Sequence, residues 1–344
     1  MNILKISIKV IGIIILALLI GSSIYLYQSG PELSEKVEEA IEVSLKEPLP
    51  EIIQGKTGFA ENQGVNIWYE SIPAKRESKG TILLIMGISN DALGWPPKFI
   101  EAFVANSYQV IRYDHRGTGM SHWGEDWTAE NAYSLKDMAA DGIAVLDALE
   151  IEKAHIIGVS MGGMIAQELV IDHSERANSL TSIMSSGNII DPELPPISSD
   201  VAYELIKVSL KYGIVGGEKN LVKLHLASRM ILMGTAEVEL NVGEIATQVL
   251  YNIRERKGYN SNASKQHQAA VMASESRYEA LKQLSIPTLI VHGKQDPFIP
   301  IAHGQKCAAM VPNADSLWIE GMGHDIPNEF IEVVSSKIIA NFKS

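Results

Sequence analysis

The chain has 344 residues, 46% of them hydrophobic, which is enough apolar material for one large domain or a domain with an insertion and excludes disorder as its main state. A formal net charge of -12 excludes nucleic acid and other polyanions as partners, because neutralising phosphates takes clustered Lys and Arg and no such cluster occurs; small neutral substrates fit better. The one cysteine, Cys307, forms no internal disulfide and has no second thiol or histidine cluster with which to hold zinc, so it reads as a buried small apolar residue.

Lys5 and Lys9 precede an apolar run from Val10 to Ile20, followed by Gly21-Ser22-Ser23 and Ile24-Tyr25-Leu26-Tyr27. As a helix, Val10 to Tyr27 spans about 27 Å, close to the ~30 Å of a hydrocarbon core, and Ile6 and Ile8 extend it if Lys9 snorkels. Residues 6–27 are therefore expected to anchor the chain in a membrane, with Tyr25 and Tyr27 at the interface, the N-terminus in the cytoplasm and the remainder outside. The competing reading is a signal peptide cleaved near Gly21-x-Ser23, which leaves the remainder secreted. No lipobox cysteine exists for lipoprotein processing.

Residues 29–56 read as an acidic stalk: Val37, Ile41 and Leu45 recur at helical spacing among glutamates, and Pro48 and Pro50 close the segment. From Thr57 the pattern becomes strand-like, with Val65 to Tyr69 alternating and Thr81 to Met86 continuously apolar, as a sheet buried on both faces requires. Helix and strand then alternate. Pro97 to Asn106, Ser134 to Leu149 and Met161 to His173 are expected to be helical; Gln109 to Tyr113, Ala154 to Val159 and Leu180 to Met184 are expected to be strands. This order predicts an α/β fold with a mostly parallel central sheet flanked by helices. Beyond Asp191-Pro192-Glu193-Leu194-Pro195-Pro196 only helical patterns occur, such as Val201, Leu205, Val208 and Tyr212 on one face, until about Ser274. Residues 188–275 thus read as an inserted helical lid between two parts of the core, 57–187 and 276–344, with strands again at Pro287 to His292 and Leu317 to Ile319 and a closing helix from Asn328 to Phe342.

The chemistry concentrates at Ile156-Ile157-Gly158-Val159-Ser160-Met161-Gly162-Gly163, an apolar strand running through G-x-S-x-G into a helix. A sharp strand-to-helix turn forces its central residue into strained dihedrals, so the flanking positions must lack bulk. Ser160 then projects as a nucleophile, and the amide of Met161 at the helix N-terminus faces an anion developing on a substrate oxygen. A second such amide is expected from the loop Met86-Gly87-Ile88-Ser89-Asn90: that of Ile88, with Gly87 and Ser89 as alternates.

A serine hydroxyl attacks poorly until a base takes its proton, and that base needs a carboxylate to orient it. His324, after Glu320-Gly321-Met322-Gly323, and Asp296, just past the strand ending at His292-Gly293, sit in loops on the same sheet edge as Ser160. Asp191 is the rival carboxylate. His155, His173, His225 and His267 do not pair with carboxylates at metal spacing, and neither metal nor cofactor is expected. The run Asp114-His115-Arg116-Gly117-Thr118-Gly119 does not open a helix in phosphate-binding form; Asp114 and Arg116 are expected to brace its turn.

Leu83 to Gly87 with Gly94-Trp95-Pro96, Arg112 to Arg116, Gly158 to Gly163, His292-Gly293 with Asp296-Pro297, and Glu320 to Asp325 together resemble the α/β-hydrolase superfamily, in its bacterial esterase branch that includes aclacinomycin methylesterase. The resemblance covers residues 57–342 and implies a Ser-His-Asp hydrolase without metal or cofactor. It argues against epoxide hydrolases and haloalkane dehalogenases, which are similar but carry Asp at the position of Ser160. The expected function is hydrolysis of carboxylic esters of small neutral substrates through an acyl-enzyme on Ser160. The alternatives are a lactonase, a cofactor-free perhydrolase and a ligand receptor without turnover on the same fold.

Overall fold

A continuous apolar strand can exist only if both faces of its sheet are covered, and the computed structural model, which describes residues 21 and 25–342, meets that demand. It divides into two compact units. One comprises Leu49–Ser198, Leu232–Leu240 and Tyr251–Ser344, and the other Met1–Pro48, Ser199–Ile231 and Asn241–Leu250, each as far as described.

The larger unit holds an eight-stranded sheet. In chain order its strands are β1 (Lys56–Asn62), β2 (Val65–Ile72), β3 (Thr81–Ile85), β4 (Gln109–Tyr113), β5 (Ala154–Val159), β6 (Ala177–Ile183), β7 (Thr288–Gly293) and β8 (Asp315–Ile319), in the spatial order β1-β2-β4-β3-β5-β6-β7-β8. The β1–β2 hairpin and the β2–β4 pair are antiparallel, and all pairs from β4 onward are parallel. Successive residues of β3 point to opposite layers. Leu83 and Ile85 join Leu146, Met164, Ile165 and Leu169 on one face, whereas Ile82 and Leu84 join Phe99, Phe103, Val334 and Ile338 on the other.

Helices of both units, numbered along the chain, are α1 (Glu35–Lys46), α2 (Pro97–Ala105), α3 (Leu135–Ala148), α4 (Met161–Asp172), α5 (Ser199–Val208), α6 (Glu218–Leu232), α7 (Val242–Glu255), α8 (Ala263–Met272), α9 (Tyr278–Leu281), α10 (Ile301–Met310) and α11 (Asn328–Asn341). α3 starts where Ser134 caps it: the Ser134 hydroxyl accepts from Asp137 N–H, and the Asp137 carboxylate accepts from Ser134 N–H, so both donors are satisfied reciprocally. Cys307 on α10 is buried, and burial pushes its thiol up to about 12, as an apolar site requires.

In the smaller unit, α1 is capped by Ser34 and buries Ile41, and its glutamates meet lysines of α6: Glu42 lies 2.5 Å from Lys219, and Glu38 pairs with both Lys219 and Lys223. Lys211 Nζ and Tyr212 Oη donate to the carbonyls of Gly30 and Pro31, each at 2.8 Å.

The membrane-spanning segment expected over residues 6–27, and with it a membrane-anchored or secreted protein, is corrected. Among the described residues no helix is long and apolar enough to cross a membrane. Residues 25–29 are helical, and Lys207 Nζ donates to the carbonyl of Ser29 at 3.4 Å. Residues 1–20 and 22–24 of the expected anchor lie outside the described residues.

The segment entering β1 is tied to the sheet by a buried carboxylate. Glu70 on β2 accepts the N–H groups of Gln54 and Gly55 at 2.6 and 2.7 Å and pairs with Arg112 of β4 at 2.6 Å. Removing it leaves a buried guanidinium without its counter-charge and two amides without acceptors, so Glu70→Ala is expected to lower the unfolding free energy by about 3–5 kcal/mol. Urea unfolding measures this, and a midpoint equal to wild type would show that the clamp contributes nothing.

Candidate active site

Between β5 and α4 the chain turns at Ser160 with φ 55° and ψ -122°, a conformation that costs a non-glycine residue about 1–3 kcal/mol. Close backbone packing makes the turn possible. A methyl group on Gly158 would lie 2.0 Å from the carbonyl oxygen of Gly162, and one on Gly162 would lie 2.1 Å from that of Ile85, so neither position accepts a side chain. Hydrogen bonds then fix the serine: its N–H donates to Ile183 O at 2.9 Å, and its carbonyl accepts from Gly163 N–H and from Ser185 Oγ, at 2.9 and 2.7 Å.

His324 and Asp296 converge on this serine from the loops after β8 and β7. His324 Nε2 lies 2.9 Å from Ser160 Oγ, and its Nδ1 lies 2.7 Å from Asp296 Oδ2. A carboxylate can only accept, so Nδ1 carries the proton and Nε2 presents its lone pair to the serine hydroxyl. The other Asp296 oxygen accepts the N–H groups of Phe298 and Ile299 at 2.8 and 2.9 Å, and the Phe298 ring meets the imidazole edge to face at 5.3 Å. Burial pushes the Asp296 carboxyl up, but the electrostatic attraction and hydrogen bond of His324 and the hydrogen bond of His292 outweigh it and hold the group well below the usual carboxylate range. Asp191, the rival acid, is engaged elsewhere: its carboxylate pairs with Lys306 at 2.6 Å and accepts Glu193 N–H at 3.0 Å.

The loop after β3 passes beside Ser160, since a methyl group on Gly87 would sit 3.4 Å from Ser160 Cβ. Of its amides, Ser89 N–H donates to Nδ1 of His267 at 3.0 Å. The N–H groups of Ile88 and of Met161, the first residue of α4, have no acceptor among the described residues. Downstream, Asp114 accepts from Ala92 and Met120 N–H at 2.9 and 2.7 Å and pairs with Arg256, while Arg116 makes two bonds of 2.6 and 2.7 Å to Asp141. Burial pushes Asp114 up to about 6, with Arg256 opposing and Asp91 adding to the effect. Arg116 therefore has its charge committed to α3. Among the described residues no three His, Cys, Asp or Glu side chains are grouped to hold a metal ion.

Three contributors escape a reading of the sequence. His292 Nε2 donates to Ile299 O at 2.9 Å and lies 3.3 Å from Asp296 Oδ2; its strand is buried on both faces, so no alternation marks which way it points. His115 donates to Met86 O at 2.7 Å. His267, on α8, reaches Ser89 across 178 positions, a distance no local pattern encodes.

Residues 80–329 match the model of a family described as having the α/β-hydrolase fold. Rhodomycin D methylesterase from Streptomyces peucetius is 26% identical over 300 residues, covering 84% of this chain and 98% of the relative. A meta-cleavage product hydrolase from Pseudomonas fluorescens shares the fold with a TM-score of 0.62 at 22% identity, over 85% of this chain and 99% of its own. An N-acyl homoserine lactone degrading enzyme superposes with a TM-score of 0.58 at 26% identity, over 81% of this chain and 99% of its own. With the family model matched over most of its length and the sheet order and strand-turn-helix in place, the chain belongs to the α/β-hydrolase family and is a hydrolase.

Proposed function

We propose that the chain is a serine hydrolase that cleaves carboxylic esters of small neutral substrates through an acyl-enzyme. The observation that carries the reading is the continuous relay from Ser160 Oγ through His324 to Asp296, with contacts of 2.9 and 2.7 Å. His324 Nε2 takes the Ser160 proton as Oγ attacks the carbonyl carbon. The oxyanion that forms accepts from the N–H groups of Ile88 and Met161, whose directions are fixed before substrate arrives and so cost no reorganisation. The tetrahedral species collapses, His324 gives its proton to the departing alkoxide, and an alcohol leaves. Water then attacks the acyl carbon with His324 again as base, which releases the acid and restores the Ser160 hydroxyl.

A lactone is an ester whose alcohol and acyl parts share one chain, so the same groups open it. The 26% identity to a lactone-degrading enzyme favours that substrate class as a second reading. Hydrolysis rates on p-nitrophenyl esters of graded acyl length and on N-acyl lactones decide between them: faster turnover of open-chain esters supports the first reading, and faster turnover of lactones the second.

Loss of the group that orients His324 is expected to be severe and local. Asp296→Asn should lower kcat by about three to four orders of magnitude with little change in thermal stability, whereas Asp191→Asn, which loses only the Lys306 pair, should stay within about threefold of wild type. The reverse ranking would move the acid to Asp191.

The depressed Asp296 carboxyl also sets the shape of the pH profile. A carboxyl held below its ordinary value of about 3.9 remains ionised above that value and gains a proton only below it. Activity should therefore fall on acidification by the uptake of one proton, and log kcat/KM should have slope one down to about pH 4. A slope of two above that pH would mean that Asp296 titrates together with the base.

A further inference from the structure

Two histidines that the reaction does not use hold the loop from Met86 to Asn90. At its start, the Met86 carbonyl accepts from Nε2–H of His115 at 2.7 Å. At its far end, Ser89 N–H donates to Nδ1 of His267 at 3.0 Å, and Nε2–H of the same ring donates to Arg116 O at 2.8 Å. An amide N–H only donates and a carbonyl only accepts, so these two bonds define His267 as the neutral ring protonated on Nε2. The two imidazoles meet edge to face, 5.5 Å between centroids, and both are buried. Burial pushes His267 down to about 4 against the bond to Arg116, and burial with the neighbouring His267 pushes His115 down to about 3. Both rings are neutral near pH 7.

These anchors act on particular peptide planes. His115 holds the plane that joins Met86 to Gly87, and His267 holds the plane that joins Ile88 to Ser89. Between them lies the plane whose N–H belongs to Ile88, and its carbonyl, Gly87 O, accepts from Asn90 N–H at 3.3 Å. Ser89 sits at φ 62°, a left-handed conformation that costs a serine about 1–2 kcal/mol. The bond to His267 on one side of the Ile88–Ser89 peptide and the bond from Asn90 Nδ2 to Ile88 O at 3.1 Å on the other hold that plane, and the first also withdraws Ser89 N–H from competition for a substrate oxygen.

We propose that His267 is a positioning residue of this hydrolase: by accepting the Ser89 N–H, it fixes the direction of the Ile88 N–H toward the oxyanion. The proposal rests on Ile88 and Ser160 acting as described above.

Two substitutions separate the two bonds of the ring. In His267→Asn the side-chain oxygen falls near the position of Nδ1 and can still accept from Ser89, while the bond to Arg116 is lost. In His267→Gln the terminal amide falls near Nε2 and keeps the Arg116 bond, while Ser89 loses its acceptor. Removal of an oxyanion donor costs about 100- to 1,000-fold in kcat, so a misdirected one is expected to cost about 30- to 100-fold. His267→Gln should show that loss in kcat with KM within about threefold, and the inhibition constant of a trifluoromethyl ketone should rise by the same factor, because that adduct carries the oxyanion. His267→Asn should retain kcat within about fivefold of wild type.

Equal activity of the two variants, or losses that follow melting temperature rather than the Asn/Gln distinction, would overturn the proposal. Where a variant does not fold, the long-range proton-nitrogen spectrum of the wild-type imidazoles tests the same point: a proton on Nε2 of His267 supports it, and one on Nδ1 contradicts it. Ser160→Ala provides the reference. Wild-type turnover in that variant would remove the proposed function itself, whereas an inactive Ser160→Ala beside a fully active His267→Gln would remove only the role of His267.

Discussion

The strained turn at Ser160 is the constraint on which the rest of the site depends. A serine at φ 55° exists there because the backbones at Gly158 and Gly162 approach neighbouring carbonyls too closely for any side chain. The same contact puts Ile85, the last residue of β3, against the start of α4, so the loop that follows β3 has to pass beside Ser160. One close packing event thereby sets both the serine and the peptide groups next to it. The cost of the turn, about 1–3 kcal/mol, is offset within a sheet whose central strands are buried on both faces.

Around that turn, polar groups are placed so that each has one protonation state. Asp296 is held ionised by its own amide donors and by two histidines; burial holds His267 and His115 neutral against the carbonyls that accept from them, and the Ser89 amide and Arg116 carbonyl allow His267 a single neutral tautomer. In the proposed reaction the relay and the loop amides meet substrate already oriented, which is the condition under which hydrogen-bond donors stabilise a developing charge without reorganising.

Much of this was legible in the sequence because it is local. G-x-S-x-G after an apolar run marks the turn, and the continuous apolar strands at Thr81 to Met86 and Ala154 to Val159 mark a sheet covered on both sides. His324 and Asp296 were readable because each closely follows a strand on one sheet edge. The partners that hold those groups were not readable. His267 meets Ser89 across 178 positions, Glu70 meets Arg112 across 42 between two strands, and the glutamates of α1 find their lysines on α6. Such pairs depend on which strand lies next to which, and composition carries no record of it. The expected membrane anchor failed because hydropathy reports only that a segment could span: among the described residues no helix is long and apolar enough to cross a membrane, and the carbonyls of Ser29 and Gly30 are bound by Lys207 and Lys211.

The central claim is that Ser160 alone carries the acyl group. Incubation of the wild-type chain with a fluorophosphonate, followed by peptide mass spectrometry, tests it most directly. One equivalent should attach to the peptide containing Ser160, with esterase activity lost in proportion, and Ser160→Ala should take up none. Stoichiometric label on another serine, such as Ser186 beside the buried His303, would contradict the account.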